Sequence, residues 1–270
     1  MSDPANSSVV VQGRKLETRL IPGARAGAPT IVMLHEGLGS ISLWRDFPDK
    51  LAAATGSPVQ LYSRHGYGQS DVLDAPQSVE YMHREALEVL PELLARLGIE
   101  HPLLLGHSDG ASIALIYAGT HAAVSSGLRS GLRAGLRGVV AMAPHVFVED
   151  VSIKSIVGAR TAFEATDLPQ KLARHHADSA KTFYGWNDIW LHEDFRSWNI
   201  EEYLPAIRCP LMAIQGIDDE YGSMAQLDAI AAQAGGRVEL VKLAACRHSP
   251  HRDQPEATLQ AVARFVTTLG

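Results

Sequence analysis

Cysteine is scarce in this chain. Its 270 residues hold only Cys209 and Cys246, which excludes a disulfide framework and any closely spaced metal–thiolate motif. Long hydrophobic runs are also missing: no stretch approaches the roughly 20 apolar residues of a membrane span. The N-terminal MSDPANSSVVVQGRKLETRL has no apolar core long enough for a secretory signal. Positive charge is not in excess. Against 24 Lys and Arg stand 30 Asp and Glu, a formal charge of −6, so neither nucleic acid nor an anionic membrane surface would attract the chain. Together these absences predict a cytoplasmic protein with no nucleic-acid or membrane partner. An apolar fraction of 46% with 20% charged residues is that of an ordinary globular chain. Its length suits one large domain, or one domain with an insertion.

What is present is an alternation. TIVMLH (30–35), VQLYS (59–63), HPLLLGH (101–107), GVVAMAP (138–144), PLMAIQG (210–216) and VELVKL (238–243) read as strands buried on both faces. Between them, residues 81–98 place Leu87, Leu90, Leu94 and Leu97 at helical spacing despite Pro91. Residues 110–122, 223–236 and the C-terminal QPEATLQAVARFVTTLG also read as helices. The alternation predicts an α/β fold, a mostly parallel sheet with helices on both faces. Two segments depart from it. SSGLRSGLRAGLRG (125–138) repeats Gly-Leu-Arg three times, too short a period for a solenoid, and is expected to be a surface loop or a frayed helix end. The stretch from about Phe147 to Ile207 is helix-like and holds Trp186, Trp190 and Trp198, three of the four tryptophans. It predicts a small helical cap over 146–207, inserted into a core formed by 1–145 and 208–270.

The strand at 101–107 runs into the helix at 110–122 through Gly106-His107-Ser108-Asp109-Gly110, the G-x-S-x-G pattern of a nucleophile elbow. Such a turn is strained, and strand and helix approach closely, which is why its flanking positions are glycine. The serine is held at a helix N-terminus that favours negative charge. A serine hydroxyl is a weak nucleophile until a base takes its proton and a third group orients that base. Later strands supply both. IDDEYG after 210–216 offers Asp218 and Asp219, and CRHSPHRDQP after 238–243 offers His248 and His251.

On LHEGLGS, RHGYGQSD, GHSDG, QGIDDEYG and CRHSPHRDQP, the chain resembles the α/β-hydrolase superfamily over essentially its whole length. The resemblance implies a serine hydrolase with a helical cap, esterase- or lactonase-like. It places Ser108 as nucleophile, Asp219 as the acid and His248 as the base, with the backbone amides of Gly37 and Asp109 as the oxyanion hole. The glycine usual before the base is Arg247 here. The expected reaction is acyl transfer from a small carboxylic ester to water, with no metal or organic cofactor; a homodimer is compatible with it. The same constellation serves thioesters, lactones and C–C bonds. A binding protein that keeps the triad without turnover is the alternative of a different class.

Other polar residues near these motifs have plainer roles to weigh. His248 and His251 have i, i+3 spacing, yet no third ligand is evident for a metal. RHGYGQSD (64–71) lacks the phosphate-loop pattern and reads as a structural turn. His107 is expected beside the strand end, and His175-His176 as a solvated pair. Trp186, Trp190, His107 and Glu36 are candidate substrate contacts. Glu36 is the anomaly, because relatives usually place glycine or another small residue there. A carboxylate about 4 Å from an oxyanion would oppose it by roughly 4 kcal/mol at an effective dielectric of 20. Glu36 must therefore be turned away or neutralised. A buried ion pair with Arg64 or Arg45 is the expected solution, and recognition of a cationic or hydroxyl-bearing substrate, with Asp109, is the runner-up.

Overall fold

The six apolar runs form six adjacent strands of one eight-stranded sheet. The last, VELVKL, lies at the sheet's edge and is only partly buried, against the expectation of burial on both faces, because it has a neighbouring strand on one side only. In this computed structural model, residues 7–121 and 135–269 are described. The runs correspond to β3 (Ile31–Leu34), β4 (Val59–Tyr62), β5 (Leu103–His107), β6 (Gly138–Met142), β7 (Leu211–Gly216) and β8 (Val238–Leu243). Two further strands, β1 (Ser7–Val11) and β2 (Arg14–Ile21), correspond to none of those runs. They form a hairpin closed at Gln12-Gly13, whose φ values of +50° and +72° are those of a two-residue turn matched to strand twist. The sheet order is β1-β2-β4-β3-β5-β6-β7-β8. The β1–β2 and β2–β4 pairs are antiparallel and every pair from β4 to β8 is parallel.

Side-chain alternation along the central strands builds two cores. Val32, Leu34, Leu104, Val139, Ala141, Leu211 and Ala213 belong to one, with α4 (Asp109–His121), α8 (Ala225–Gln233) and the helical stretch that begins at Tyr81. Ile31, Met33, Leu103, Leu105, Val140, Met142, Met212 and Ile214 belong to the other, against α1 (Phe47–Thr55) and α10 (Pro255–Thr268). The helix at 81–98 is interrupted where Pro91 cannot donate: α2 (Tyr81–Arg84) passes through a π-turn at Glu85–Val89 into α3 (Leu90–Arg96). Between β6 and β7 run α5 (Asp150–Ala165), α6 (Leu168–Leu172) and α7 (Ser179–Trp190), then 3-10 turns at Glu193–Ser197 and Glu201–Ala206. A short α9 (Pro250–Asp253) precedes α10. The first two Gly-Leu-Arg triplets lie outside the described residues, and only the end of that repeat, from Gly135, is described. Among the described residues no helix is long and apolar enough to cross a membrane.

Parallel strands end on the same edge. The loops after β3, β5, β6, β7 and β8 therefore meet there, and they carry Glu36, Ser108, His145, Asp219 and His248.

Candidate active site

The turn from β5 into α4 holds Ser108 at φ +53°, a left-handed conformation that costs energy for a residue with a side chain. Its neighbours explain the two glycines. A Cβ on Gly106 would overlap the Gly110 carbonyl, and a Cβ on Gly110 would overlap the carbonyl of Leu34 in the adjacent strand. Ser108 N–H donates to Met142 O at 2.9 Å, tying the turn to β6.

Ser108 Oγ lies 2.9 Å from His248 Nε2, and His248 Nδ1 lies 2.8 and 3.0 Å from the two Asp219 carboxylate oxygens. Asp219 is held in turn. Its oxygens accept from Tyr221 N–H at 2.8 Å, Gly222 N–H at 3.3 Å and Gln215 Nε2 at 3.2 Å. Burial alone would raise the carboxyl's pKa, but the hydrogen bond and charge of His248 outweigh it and leave the group below the usual carboxylate range. Asp218, the other acid of the pair, is exposed, and its N–H donates to Cys246 O at 3.0 Å. Arg247 is accommodated at the surface, where it meets Glu220 at 3.0 Å. Glu220 also accepts from His248 N–H at 3.3 Å.

The loop after β3 runs past Ser108. No described residue accepts a hydrogen bond from the N–H of Gly37 or of Asp109, the latter in the first turn of α4 where helix geometry leaves donors free. Trp186 of α7 covers Gly37 so closely that a Cβ there would overlap its indole nitrogen. The Asp109 side chain turns inward, fully buried. It accepts from Tyr81 Oη at 2.6 Å and meets Arg64 Nη2 at 3.5 Å, while Trp190 Nε1 donates to Tyr81 Oη at 3.1 Å. Burial raises the pKa of Asp109 despite the nearby Arg64 guanidinium. Trp190, 2% exposed, thus belongs to a buried polar network.

The expected Glu36–arginine pair does not form. Arg64 Nη2 donates to the Glu36 backbone carbonyl at 2.9 Å, and its charge is directed to Asp109. The Glu36 carboxylate turns the other way and meets His107 Nδ1 at 3.5 Å, an ion-pair separation rather than a hydrogen bond. His107 itself is 1% exposed, and its Nε2 lies 2.7 Å from the backbone oxygen of His248. The expectation of a solvated His175-His176 pair also fails for its second member. Buried His176 accepts from Gly68 N–H at 3.0 Å, and its other nitrogen lies 3.0 Å from Leu38 O, fastening the 146–207 segment to the loop beside Gly37. His251 is 6% exposed and packs its ring 4.8 Å from Trp44 and 5.0 Å from His107.

One residue at the site carries no sequence motif. His145, 2% exposed, sets its ring 5.7 Å from His248 and 5.0 Å from Trp190. Its Nδ1 is enclosed with no hydrogen-bond partner among the described residues. Burial, reinforced by His248, lowers its pKa to about 3, so it is neutral near pH 7. The only signal in the sequence is positional: a histidine just beyond a strand on the edge where the other site loops gather. Among the described residues no group of three or more His, Cys, Asp or Glu side chains is arranged to hold a metal ion.

The family model described as "Alpha/beta hydrolase family" matches residues 31–261. In sequence, the chain is 31% identical over 99 residues to a proline iminopeptidase of Lactobacillus delbrueckii subsp. lactis, a match covering 37% of this chain and 33% of that protein. The match thus spans about a third of the relative's length. In fold, the chain superposes with a TM-score of 0.73 on the proline iminopeptidase of Mycobacterium smegmatis, at 19% identity over 97% of this chain and 98% of the other. The enol-lactonase of Burkholderia xenovorans LB400 superposes with a TM-score of 0.71, at 21% identity over 97% and 100% of the two chains.

Proposed function

Because the chain belongs to the alpha/beta hydrolase family, we propose that it is a serine hydrolase working through an acyl-enzyme on Ser108. The observation that carries this reading is the continuous chain from Ser108 Oγ through His248 to Asp219, at 2.9 and 2.8 Å. In the free enzyme the serine hydroxyl donates to His248 Nε2, and His248 Nδ1–H donates to Asp219. As Ser108 attacks a substrate carbonyl, its proton passes to His248, and Asp219 stabilises the imidazolium. The developing oxyanion is held by the Gly37 and Asp109 amides, each such donor contributing about 2.7–4 kcal/mol to transition-state stabilisation. His248 then protonates the leaving group. Water attacks the acyl-enzyme with His248 again as base, and Ser108 is regenerated.

The substrate class we assign is a small carboxylic ester. Residues 146–207 act as a cap over the site, with Trp186 forming the wall above Gly37 and Trp190 packed beside His145. No metal or organic cofactor enters this chemistry. A second reading, cleavage of the peptide bond after an N-terminal proline, is favoured by the sequence likeness to proline iminopeptidase over about a third of that protein's length.

The test is hydrolysis of p-nitrophenyl acetate, p-nitrophenyl butyrate and proline p-nitroanilide by wild type and Ser108→Ala. Ester turnover that vanishes in the variant supports the first reading. Turnover of the anilide alone supports the second. Turnover that survives Ser108→Ala, or a wild type inert to all three, overturns the assignment of Ser108 to this chemistry.

A further inference from the structure

Glu36 and His107 lie on two of the loops that shape the proposed site, and their geometry fixes the hydrogen positions they require. A backbone carbonyl only accepts, so His107 Nε2, 2.7 Å from His248 O, must carry a proton. Were the ring neutral, its Nδ1 would present a bare lone pair to the Glu36 carboxylate 3.5 Å away. With Glu36 ionised, the doubly protonated ring is the form that satisfies both neighbours. We infer that Glu36 and His107 form an ion pair that positions the loop carrying His248 relative to the loop carrying Gly37. The inference rests on the reading of Ser108 and His248 as nucleophile and base.

Glu36 is suited to anchor such a pair because its backbone is fixed independently. Its carbonyl accepts from Arg64 Nη2 at 2.9 Å, from Gly39 N–H at 3.0 Å and from His35 Nδ1 at 2.7 Å. Donation from His35 Nδ1 is required, since its other nitrogen accepts from Arg64 N–H at 3.0 Å. The Glu36 carboxylate occupies the space that a side chain at Gly39 would need. Its side chain is only 25% exposed.

The groups around His107 are of both signs. Glu36 and Asp219 favour its cation, while His145, His248 and His251 face it and would disfavour it if charged; Trp44, 6.1 Å away, is apolar. Burial pushes the His107 pKa down, but Glu36 and the His248 carbonyl outweigh it, and the net shift is upward. The same pairing outweighs burial at Glu36 and holds its carboxyl well below the usual range. The pair is neutral overall, so the carboxylate beside the Gly37 amide is screened from the oxyanion.

The sign of the pH effect follows. His107 has a folded pKa above its ordinary value, so the pair is complete at and below that ordinary value and is lost as pH rises through the raised one. Loss should loosen His248 and lower kcat on the alkaline side, with little change in KM. Glu36→Gln keeps the shape but removes the charge. It should move the alkaline fall in kcat for p-nitrophenyl butyrate to lower pH, a loss of about severalfold at the wild-type midpoint, with KM changed less than about twofold. Glu36→Asp keeps a carboxylate and should recover part of that loss.

Nitrogen-15 spectra of the histidine rings test the pair without relying on turnover, with His107→Gln used to assign the resonance. Two protonated ring nitrogens on most His107 rings at pH 6.5, the ordinary imidazole value, in wild type, and one in Glu36→Gln, are the expected result. A singly protonated His107 in wild type, or a Glu36→Gln profile that overlays the wild type, overturns the inference. A wild type inert to esters leaves the ring protonation measurable and counts against the hydrolase reading instead.

Discussion

Gly37→Ala is the substitution whose effect the structure specifies most sharply. Nothing in the backbone of Gly37 demands glycine, since its φ lies outside the left-handed region. The constraint is Trp186: an alanine Cβ would overlap Nε1, so side chain and loop must separate by on the order of 1 Å to restore ordinary contact. Neither side yields freely. Helix α7 is fixed by Thr182 Oγ1 donating to Gly66 O at 2.6 Å and by Asn187 Nδ2 donating to Ile156 O at 2.9 Å. The loop is fixed by Arg64 on Glu36 O and by His176 on Leu38 O. Retreat of the loop by that amount takes the Gly37 N–H out of hydrogen-bond range of an oxyanion. The expected loss is that of one oxyanion donor, about 10²–10³ in kcat, with about 1–3 kcal/mol of stability lost to overpacking. The assay is kcat for p-nitrophenyl butyrate with urea unfolding in parallel, on Gly37→Ala, Trp186→Ala and the double variant. Removing the indole frees the space, so the double variant should regain at least about tenfold in kcat over Gly37→Ala. A double variant no faster than Gly37→Ala would refute the steric argument, as would a single variant with wild-type kcat and stability.

Two further outcomes follow from buried charge. Arg64→Met leaves the Asp109 carboxylate, 0% exposed, without its cation, and should cost about 3–5 kcal/mol in urea unfolding at pH 7. Adding Asp109→Asn should recover part of that loss, and an unchanged urea midpoint in Arg64→Met would contradict the pairing. His145 and His251, each lowered to about 3 by burial, are neutral in the folded protein and take up protons on unfolding below the ordinary value of 6.5. Their folded pKa values are depressed, so the stability they allow is complete above 6.5 and is lost as pH falls from there. The steepest loss is about 2–3 kcal/mol per pH unit for the two together. His251→Gln should reduce that slope by one proton; an identical slope for wild type and variant in urea midpoints between pH 6.5 and 4 would refute it.

The central strands are legible in the sequence because each is buried on both faces, and continuous apolar runs are what such strands require. The edge hairpin is not. Both strands are partly exposed: Ser7–Val11 offers only three consecutive valines, and Arg14–Ile21 mixes Arg, Lys, Glu and Thr with apolar residues, so neither carries a long apolar run. Helix α1 is hidden in the same way, its apolar positions being few and separated by alanine and charge. The elbow at 106–110 is legible because steric need at Gly106 and Gly110 leaves a mark in residue identity. His145 carries no such mark: what makes it part of the site is that β6 lies between β5 and β7 in the sheet.

Sheet order also explains why the partner of Glu36 is a histidine and not the expected arginine. Met33 pairs with Leu61 of β4 on one side and with Leu105 of β5 on the other. Counting forward from that register brings Arg64 and His107 to the same end of the sheet as Glu36, one on each flank. Sequence alone favours arginine, a permanent cation, over a histidine that must first gain a proton. What reverses the preference is a demand from elsewhere. Asp109 is wholly buried, sits next to Ser108 and also requires a cation, and Arg64 is the guanidinium that meets it. With Arg64 directed to Asp109, the Glu36 carboxylate is left to His107, whose ring is already committed to the His248 carbonyl. An uncharged residue at position 36 would leave that histidine with burial and little to oppose it. On the proposed pairing, the Glu36 carboxylate is directed to the histidine, and the cost of its charge is met within the scaffold.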